Sequence, residues 1–544
     1  MRKYILVIIF VLAAFLRLYK LGAVPPALYW DEASLGYNAY SILKTGFDEH
    51  HNFMPLTNFA AYGDYKPPLY IYATVPSIAV FGLNEFAVRF PSAFFGFLTV
   101  VLVYFLTKKL FLNGPFLKIK KVEIDVPIIA TFLLAISPWH LQFSKAAFEA
   151  NLGLFFSTLG IYLFFKFAKD SQLWFLPSLL SFMAGMYTFT GQRLFVPFIL
   201  LILFLQFWKD VIKSWKYVTV SLVICGIIFY PLFVFSTSTI EGRLRFDEVT
   251  IFRNLQPINN SIRDRKVDNF AIWANILHNR RFYQAQDYLK HYFDAFAPKF
   301  LVTSGDVNPR LSTQEVGELY YPEAIFVLVG IYFLIKNKPK YTWFLIAWLL
   351  ASPLGPATAR ETPHALRMIH ILPTFQIISA YGLLALYQVI KFKKALIIGF
   401  LLALLLNFAY YLHMYYVHYP IIYSGEWQYG YKQAVQSVKS LYPEADQIVV
   451  TNALGRPYIY FLLFNAYSPG KFWENSQVIK DKFFFIHVNG FDKFKFVDDV
   501  ESVPVHGKVV YVSTNGVPKG AKLEKKIKDL SGKTVFYISK NYDN

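Results

Sequence analysis

The sequence predicts a mainly α-helical polytopic membrane protein that carries a C-terminal α/β module outside the bilayer. Three observations predict it. Hydrophobic residues make up 55% of the 544 and charged residues only 16%, whereas a soluble chain carries about a quarter charged. The apolar residues fall in blocks near the roughly 20 residues that cross a bilayer as a helix. Lysines then recur at alternate turns between the blocks, the bias that marks cytoplasmic loops. The net charge of +19 therefore has a topological cause. No basic helix or aromatic RNA-binding motif accompanies it, which argues against a nucleic-acid partner. Cys225 is the only cysteine, so an intrachain disulfide or a cysteine-based zinc site is excluded.

Eleven spans are expected, at about 4–20, 89–107, 125–142, 152–168, 172–190, 194–208, 216–235, 320–335, 341–353, 368–390 and 395–418. Arg2 and Lys3 before an apolar run imitate a signal peptide, but Arg17-Leu18-Tyr19 offers no small-residue cleavage site. An uncleaved first helix is expected. With the N-terminus inside, the inner segments carry Arg2 and Lys3, then Lys108, Lys109, Lys118, Lys120 and Lys121, then Lys166 and Lys169. Lys209, Lys213 and Lys216 follow, then Lys336, Lys338 and Lys340, and finally Lys391, Lys393 and Lys394. Only Glu123, Asp125, Asp170 and Asp210 oppose them, so every turn obeys the positive-inside rule.

The outer face then receives everything unusual. It has long loops at 21–88 and 236–319, shorter ones at 143–151 and 354–367, and the tail. The expected division is a membrane domain over 1–418 and a soluble extracytoplasmic α/β domain over 419–544. In the tail, helical periodicity runs through Trp427–Leu441. Strand patterns follow at Gln447–Thr451, Phe483–Val488, Val509–Ser513 and Thr534–Ser539, with an amphipathic helix expected at Lys522–Leu530. No internal repeat is visible.

Chemistry-bearing residues cluster in the outer loops. Tyr29-Trp30-Asp31-Glu32 sets two carboxylates just after the first span, and ionisable groups at membrane depth are functional candidates. The dipeptide alone reads equally well as Asp31 capping a helix through Ala33–Leu43. Lys66 precedes the stiff Pro67-Pro68 turn, as a fixed phosphate ligand or as a snorkelling interfacial lysine. Ser137-Pro138-Trp139-His140 leads to a further carboxylate, Glu149, while His140 reads as an interfacial hydrogen-bonding residue. Arg193, Arg243, Arg245, Arg360 and Arg367, with His364, sit at outer helix ends, against the charge bias. Guanidinium groups bind phosphate oxygens bidentately. Carboxylates and phosphate-binding cations on one membrane face suit glycosyl transfer from a lipid-linked phosphosugar. A base takes the proton of an attacking hydroxyl, and cations hold the departing phosphate.

These residues resemble the type C glycosyltransferases, specifically the phospholipid-carrier-dependent group of protein O-mannosyltransferases and aminoarabinose transferases. The resemblance covers about residues 1–420. It rests on Trp30-Asp31-Glu32, Lys66-Pro67-Pro68-Leu69-Tyr70, Phe81-Gly82-Leu83-Asn84-Glu85, Arg89-Phe90-Pro91-Ser92, Ser137-Pro138 through Glu149, and Arg367 with Leu372-Pro373. It implies a type C fold and an inverting transfer from a polyprenyl-phosphate sugar on the extracytoplasmic face of a prokaryotic plasma membrane. Asp31 matches the family's essential acidic position, with Glu32 as its partner carboxylate and Glu149 as a second acid. Lys66 matches a lysine associated with lipid phosphate. The acceptor is a protein, lipid or glycan, and a divalent metal ion is the one cofactor left open. No trefoil repeat pattern is present, so mannose and protein are not implied as sugar and acceptor. A transporter or flippase for lipid-linked sugars is the alternative, but such carriers tend towards inverted repeats and comparable loops on both sides.

Overall fold

The computed structural model describes residues 2–119, 122–482 and 485–542. Lys120 and Lys121, counted above for the second inner segment, lie outside the described residues, as does Phe483.

Among the described residues, five helices are long and apolar enough to cross a membrane: Glu85–Leu110, Glu149–Lys169, Thr190–Lys213, Trp215–Ser238 and Lys393–Ile422. Two bent pairs raise the number to seven if each is one span. They are Val126–Ile136 with Pro138–Lys145, bent by 53°, and Ala365–Ile371 with Thr374–Val389, bent by 51°. Proline explains both bends: it supplies no N–H and its ring clashes with the preceding turn, and Pro138 and Pro373 stand at the two breaks. The other four expected spans are helical but shorter, as Arg2–Leu18, Phe175–Thr188, Tyr321–Asn337 and Thr342–Ala351.

The chain divides into two compact units, Met1–Leu16 with Phe95–Phe143 and Glu149–Tyr411, and Arg17–Phe94 with Ser144–Phe148 and Leu412–Asn544. In the first unit, Asp125 caps the Val126–Ile136 helix by accepting from the Ile128 N–H, and it pairs with Arg2 at 2.5 Å. Ile9 and Ala13 pack there against Val100, Val103, Ile128 and Leu134. The segment 236–319 is largely helical, through Ile240–Val249, Gln256–Val267 and Arg280–Asp294.

The second unit joins the first long loop to the tail. The loop contributes the Trp30–Thr45 helix, a hairpin of Phe59–Ala61 and Asp64–Lys66, and the Leu69–Phe81 helix. The tail forms a seven-stranded sheet in the order Lys522–Lys528, Thr534–Asn541, Val509–Ser513, Gln447–Thr451, Phe494–Val497, Ile486–Phe491 and Gln477–Lys480. Gln447–Thr451 runs parallel to both of its neighbours and is wholly buried, while the outer pairs are antiparallel. The tail's first long helix starts at Tyr431 rather than Trp427.

Lys522–Leu530 is not a helix. Lys522–Lys528 is an edge strand with Ile527 as its one buried side chain. Its lysines blunt an exposed edge, and the same charges imitate the polar face of a helix in the sequence.

Candidate active site

Asp31 lies in the first turn of the Trp30–Thr45 helix, whose N-cap is Tyr29, so it is not itself the cap. Its Oδ1 meets Lys66 Nζ at 2.7 Å, with the lysine side chain 5% and the aspartate 28% exposed. Local sequence fixes the lysine. The hairpin turns through Tyr62 and Gly63, both at positive φ, as a two-residue hairpin loop demands. Phe59 pairs with Lys66 across the ladder, and Pro67-Pro68 stiffens the exit. Tyr62 also donates from its hydroxyl to the Trp30 carbonyl at 3.1 Å, tying the hairpin to the helix that bears Asp31.

Glu32 has a different environment. It is fully buried, and Arg89 grips it with Nε to Oε1 at 2.8 Å and Nη2 to Oε2 at 2.9 Å. The Ala147 N–H donates to Oε1 at 2.8 Å and the Tyr29 N–H to Oε2 at 3.3 Å. Arg89 spends its other N–H groups on the carbonyls of Leu21, Pro25 and Ala27, and its guanidinium lies 5.6 Å from the centre of the Trp427 ring. A buried ion pair is tolerable when its remaining donors and acceptors are satisfied in this way. Lys145 donates to the Tyr19 carbonyl and lies beside the Tyr415 and Tyr416 rings.

Seven residues after Asp31, on the same helix face, Asn38 donates to Glu49 Oε1 and accepts from the Glu49 N–H, both at 3.0 Å. Burial pushes the Glu49 carboxyl up to about 8, against the Asn38 hydrogen bond and with help from the Asp48 charge. Sequence reasoning missed Glu49 and gave Arg89 no role. The alternation of Asp31, Ser34 and Asn38 on one helical stripe was the available signal for a polar face.

In the other unit, Glu149 opens the Glu149–Lys169 helix. His364 Nδ1 lies 3.8 Å from Asp306 Oδ2, which accepts the Ala365 N–H at 2.6 Å. Burial raises the Asp306 carboxyl to about 6, opposed by the Asn308 and Ala365 N–H groups and by Arg367. Arg367 donates to the Glu361 carbonyl at 3.2 Å. Trp139 donates to the Ala365 carbonyl, and Gln142 to that of Arg310. His364, Arg367 and the unanticipated Asp306 therefore gather beside the Ser137-Pro138 break. Arg193 instead bonds the Met186 carbonyl and Ser236 Oγ. Arg243 is exposed, and the Arg245 side chain lies outside the described residues. Among the described residues, no three His, Cys, Asp or Glu side chains gather as a metal-binding group.

Residues 7–237 match the family described as dolichyl-phosphate-mannose-protein mannosyltransferase. A 134-residue stretch is 31% identical to an uncharacterised protein of Aquifex aeolicus, spanning 22% of this chain and 29% of that relative. The fold is similar to that of ArnT from Cupriavidus metallidurans. The apo structure aligns with a TM-score of 0.53 at 11% identity, over 98% of this chain and 97% of ArnT. The structure bound to undecaprenyl phosphate aligns with a TM-score of 0.54 at 10% identity, over 99% and 98%.

Proposed function

We propose that the chain is a type C glycosyltransferase of the PMT/ArnT-like group and transfers a sugar from a polyprenyl-phosphate donor to an acceptor hydroxyl, with inversion. The reaction takes place on the extracytoplasmic face of a prokaryotic plasma membrane. The acceptor is a protein, lipid or glycan.

The observation that carries this reading is the Asp31–Lys66 pair, a half-buried carboxylate against a buried ammonium. Asp31 takes the proton of the acceptor hydroxyl as its oxygen attacks the anomeric carbon. The bond from that carbon to the phosphate oxygen breaks, and the lipid phosphate leaves with the electron pair. An ammonium has three N–H donors, so Lys66 can hold Asp31 and a phosphate oxygen together and stabilise the developing charge. Glu32 works through Arg89, fixing the first turn of the helix that presents Asp31. Glu149 is proposed as a second acid that steadies an oxocarbenium-like transition state. Arg193, Arg243, Arg245, His364 and Arg367 are proposed as donor-phosphate ligands. ArnT has been solved with undecaprenyl phosphate, and a carrier of that chemical class is proposed here.

The test is incubation of the purified full chain with a panel of radiolabelled polyprenyl-phosphate sugars, beside Asp31→Asn. One donor should be consumed and its label should reach an acceptor, and the variant should turn over at least about a hundredfold more slowly, as loss of a general base does. Consumption of no donor, or unchanged turnover in the variant, refutes the reading.

A further inference from the structure

The first unit holds a cavity of about 640 Å³ lined by Lys109, Lys169, Lys340, Asp170, Tyr341 and Tyr381, together with the 110–115 turn. It draws one lysine from each of three turns that the charge pattern assigns to a single membrane face. Lys109 is committed, with Nζ at 2.6 and 2.9 Å from the two Asp170 oxygens. Lys169 and Lys340 are not matched in this way. Their ammonium groups stand close enough to repel each other, with Asp210 the acid near Lys169. Among the described residues, three cations thus face two acids, a surplus of one positive charge. Two like charges held together at a cavity wall call for an anion between them.

Apart from Asn113 and Asn337, the rest of the cavity is lined by apolar and aromatic residues. Phe111 stacks on Tyr381 at 5.1 Å, the Lys169 ammonium lies 5.6 Å from the Phe207 ring, and Leu112 at the rim is 76% exposed. A free anion has no use for an exposed leucine and a ring-lined floor, whereas a phospholipid has. Its glycerol and upper acyl chains cover apolar surface, and its phosphodiester carries the single negative charge that the surplus matches.

We propose that this cavity binds the headgroup phosphate of an anionic phospholipid from the adjoining leaflet, with Lys169 and Lys340 as the phosphate ligands. The site is independent of the proposed reaction and contains none of its residues.

Native mass spectrometry of the purified full chain, titrated with dioleoylphosphatidylglycerol or dioleoylphosphatidylcholine, tests the assignment. Phosphatidylglycerol should be retained in preference to phosphatidylcholine. Its affinity should fall about thirtyfold in Lys169→Gln/Lys340→Gln, since each of the two lysines near a lipid phosphate contributes about 1 kcal/mol and about 1.4 kcal/mol is tenfold. Lys340→Gln alone, in an exposed turn that tolerates substitution, should give an intermediate loss and keeps the test open if the double variant does not fold. Equal retention of the two lipids, unchanged affinity in the variants, or complete displacement of phosphatidylglycerol by millimolar inorganic phosphate would each overturn the proposal.

Discussion

Two adjacent carboxylates of one helical turn have opposite surroundings, and the difference divides the roles proposed for them. Glu32 is sealed from solvent by four donor contacts, two of them from Arg89, whereas Asp31 keeps a partly open face beside Lys66. Removing Arg89 alone strands a buried charge, which costs about 3–5 kcal/mol, whereas replacing both partners of such a pair is far milder. Arg89→Met should therefore lower the thermal midpoint sharply, and Glu32→Gln/Arg89→Met should recover most of the loss. A double variant as unstable as the single one refutes the pairing argument. Glu49 yields a pH prediction. Its folded pKa of about 8 lies above the ordinary value of 4.5, so between those limits the folded state binds more protons than the unfolded one. Its contribution to stability is fully present below about pH 4.5 and is lost as pH rises through about 8. Glu49→Gln keeps the acceptor for Asn38 and should flatten the fall in melting temperature between pH 6 and pH 9; an unchanged slope removes Glu49 as its source. Asp31 and Lys66 were legible because each announces itself locally, one beside a second acid and the other before a proline pair. Arg89 and Glu49 were not, because an arginine in an apolar helix and a glutamate in a polar loop acquire meaning only from partners distant in sequence.

At the scale of elements, the helices were legible wherever hydrophobicity alone decides, and misread where exposure decides. Lys522–Lys528 has a helix-like distribution of charge, yet it pairs as an edge strand with Thr534–Asn541; nothing in one strand's sequence records the neighbour that supplies its hydrogen bonds. The packing of Tyr321–Asn337 against Thr374–Val389 is similar in kind. Gly330 and Gly382 sit where the two backbones meet. A Cβ on Gly330 would come within 2.1 Å of the Ile378 carbonyl oxygen, and one on Gly382 within 2.4 Å of that of Phe326. Carbonyl oxygens in a helix cannot swing aside as side chains do, so close approach here depends on the missing methyl groups. Gly330→Ala and Gly382→Ala should each destabilise the protein by about 1–3 kcal/mol, the usual range for overpacking. Combined, they should cost less than the sum, because the first substitution has already parted the helices. Wild-type melting of both single variants in detergent refutes this account of the contact.

At the scale of the whole molecule, the tail's place in the second unit changes what its removal should do. Sequence alone suggests a detachable module, whose loss after Tyr419 would alter acceptor choice and spare donor cleavage. Within the second unit, however, the helix bearing Asp31 is built against the tail. The Trp30 N–H donates to Gln428 Oε1 at 2.8 Å, the Tyr37 hydroxyl donates to the Tyr467 carbonyl, and Gly36 admits Leu463 close to its Cα. Gln428 is held in turn by the Tyr460 hydroxyl and the Leu454 carbonyl. Truncation exposes this buried helix face and frees the turn that carries Asp31, the proposed base, and small displacements of such a group are costly. Deleting residues after Tyr419 should therefore abolish donor consumption along with transfer. Gln428→Ala in the full chain should weaken both moderately while leaving the fold intact, which separates loss of positioning from loss of the module. A truncated protein that still hydrolyses the donor at the wild-type rate would show that the Trp30–Thr45 helix holds Asp31 in place without the tail.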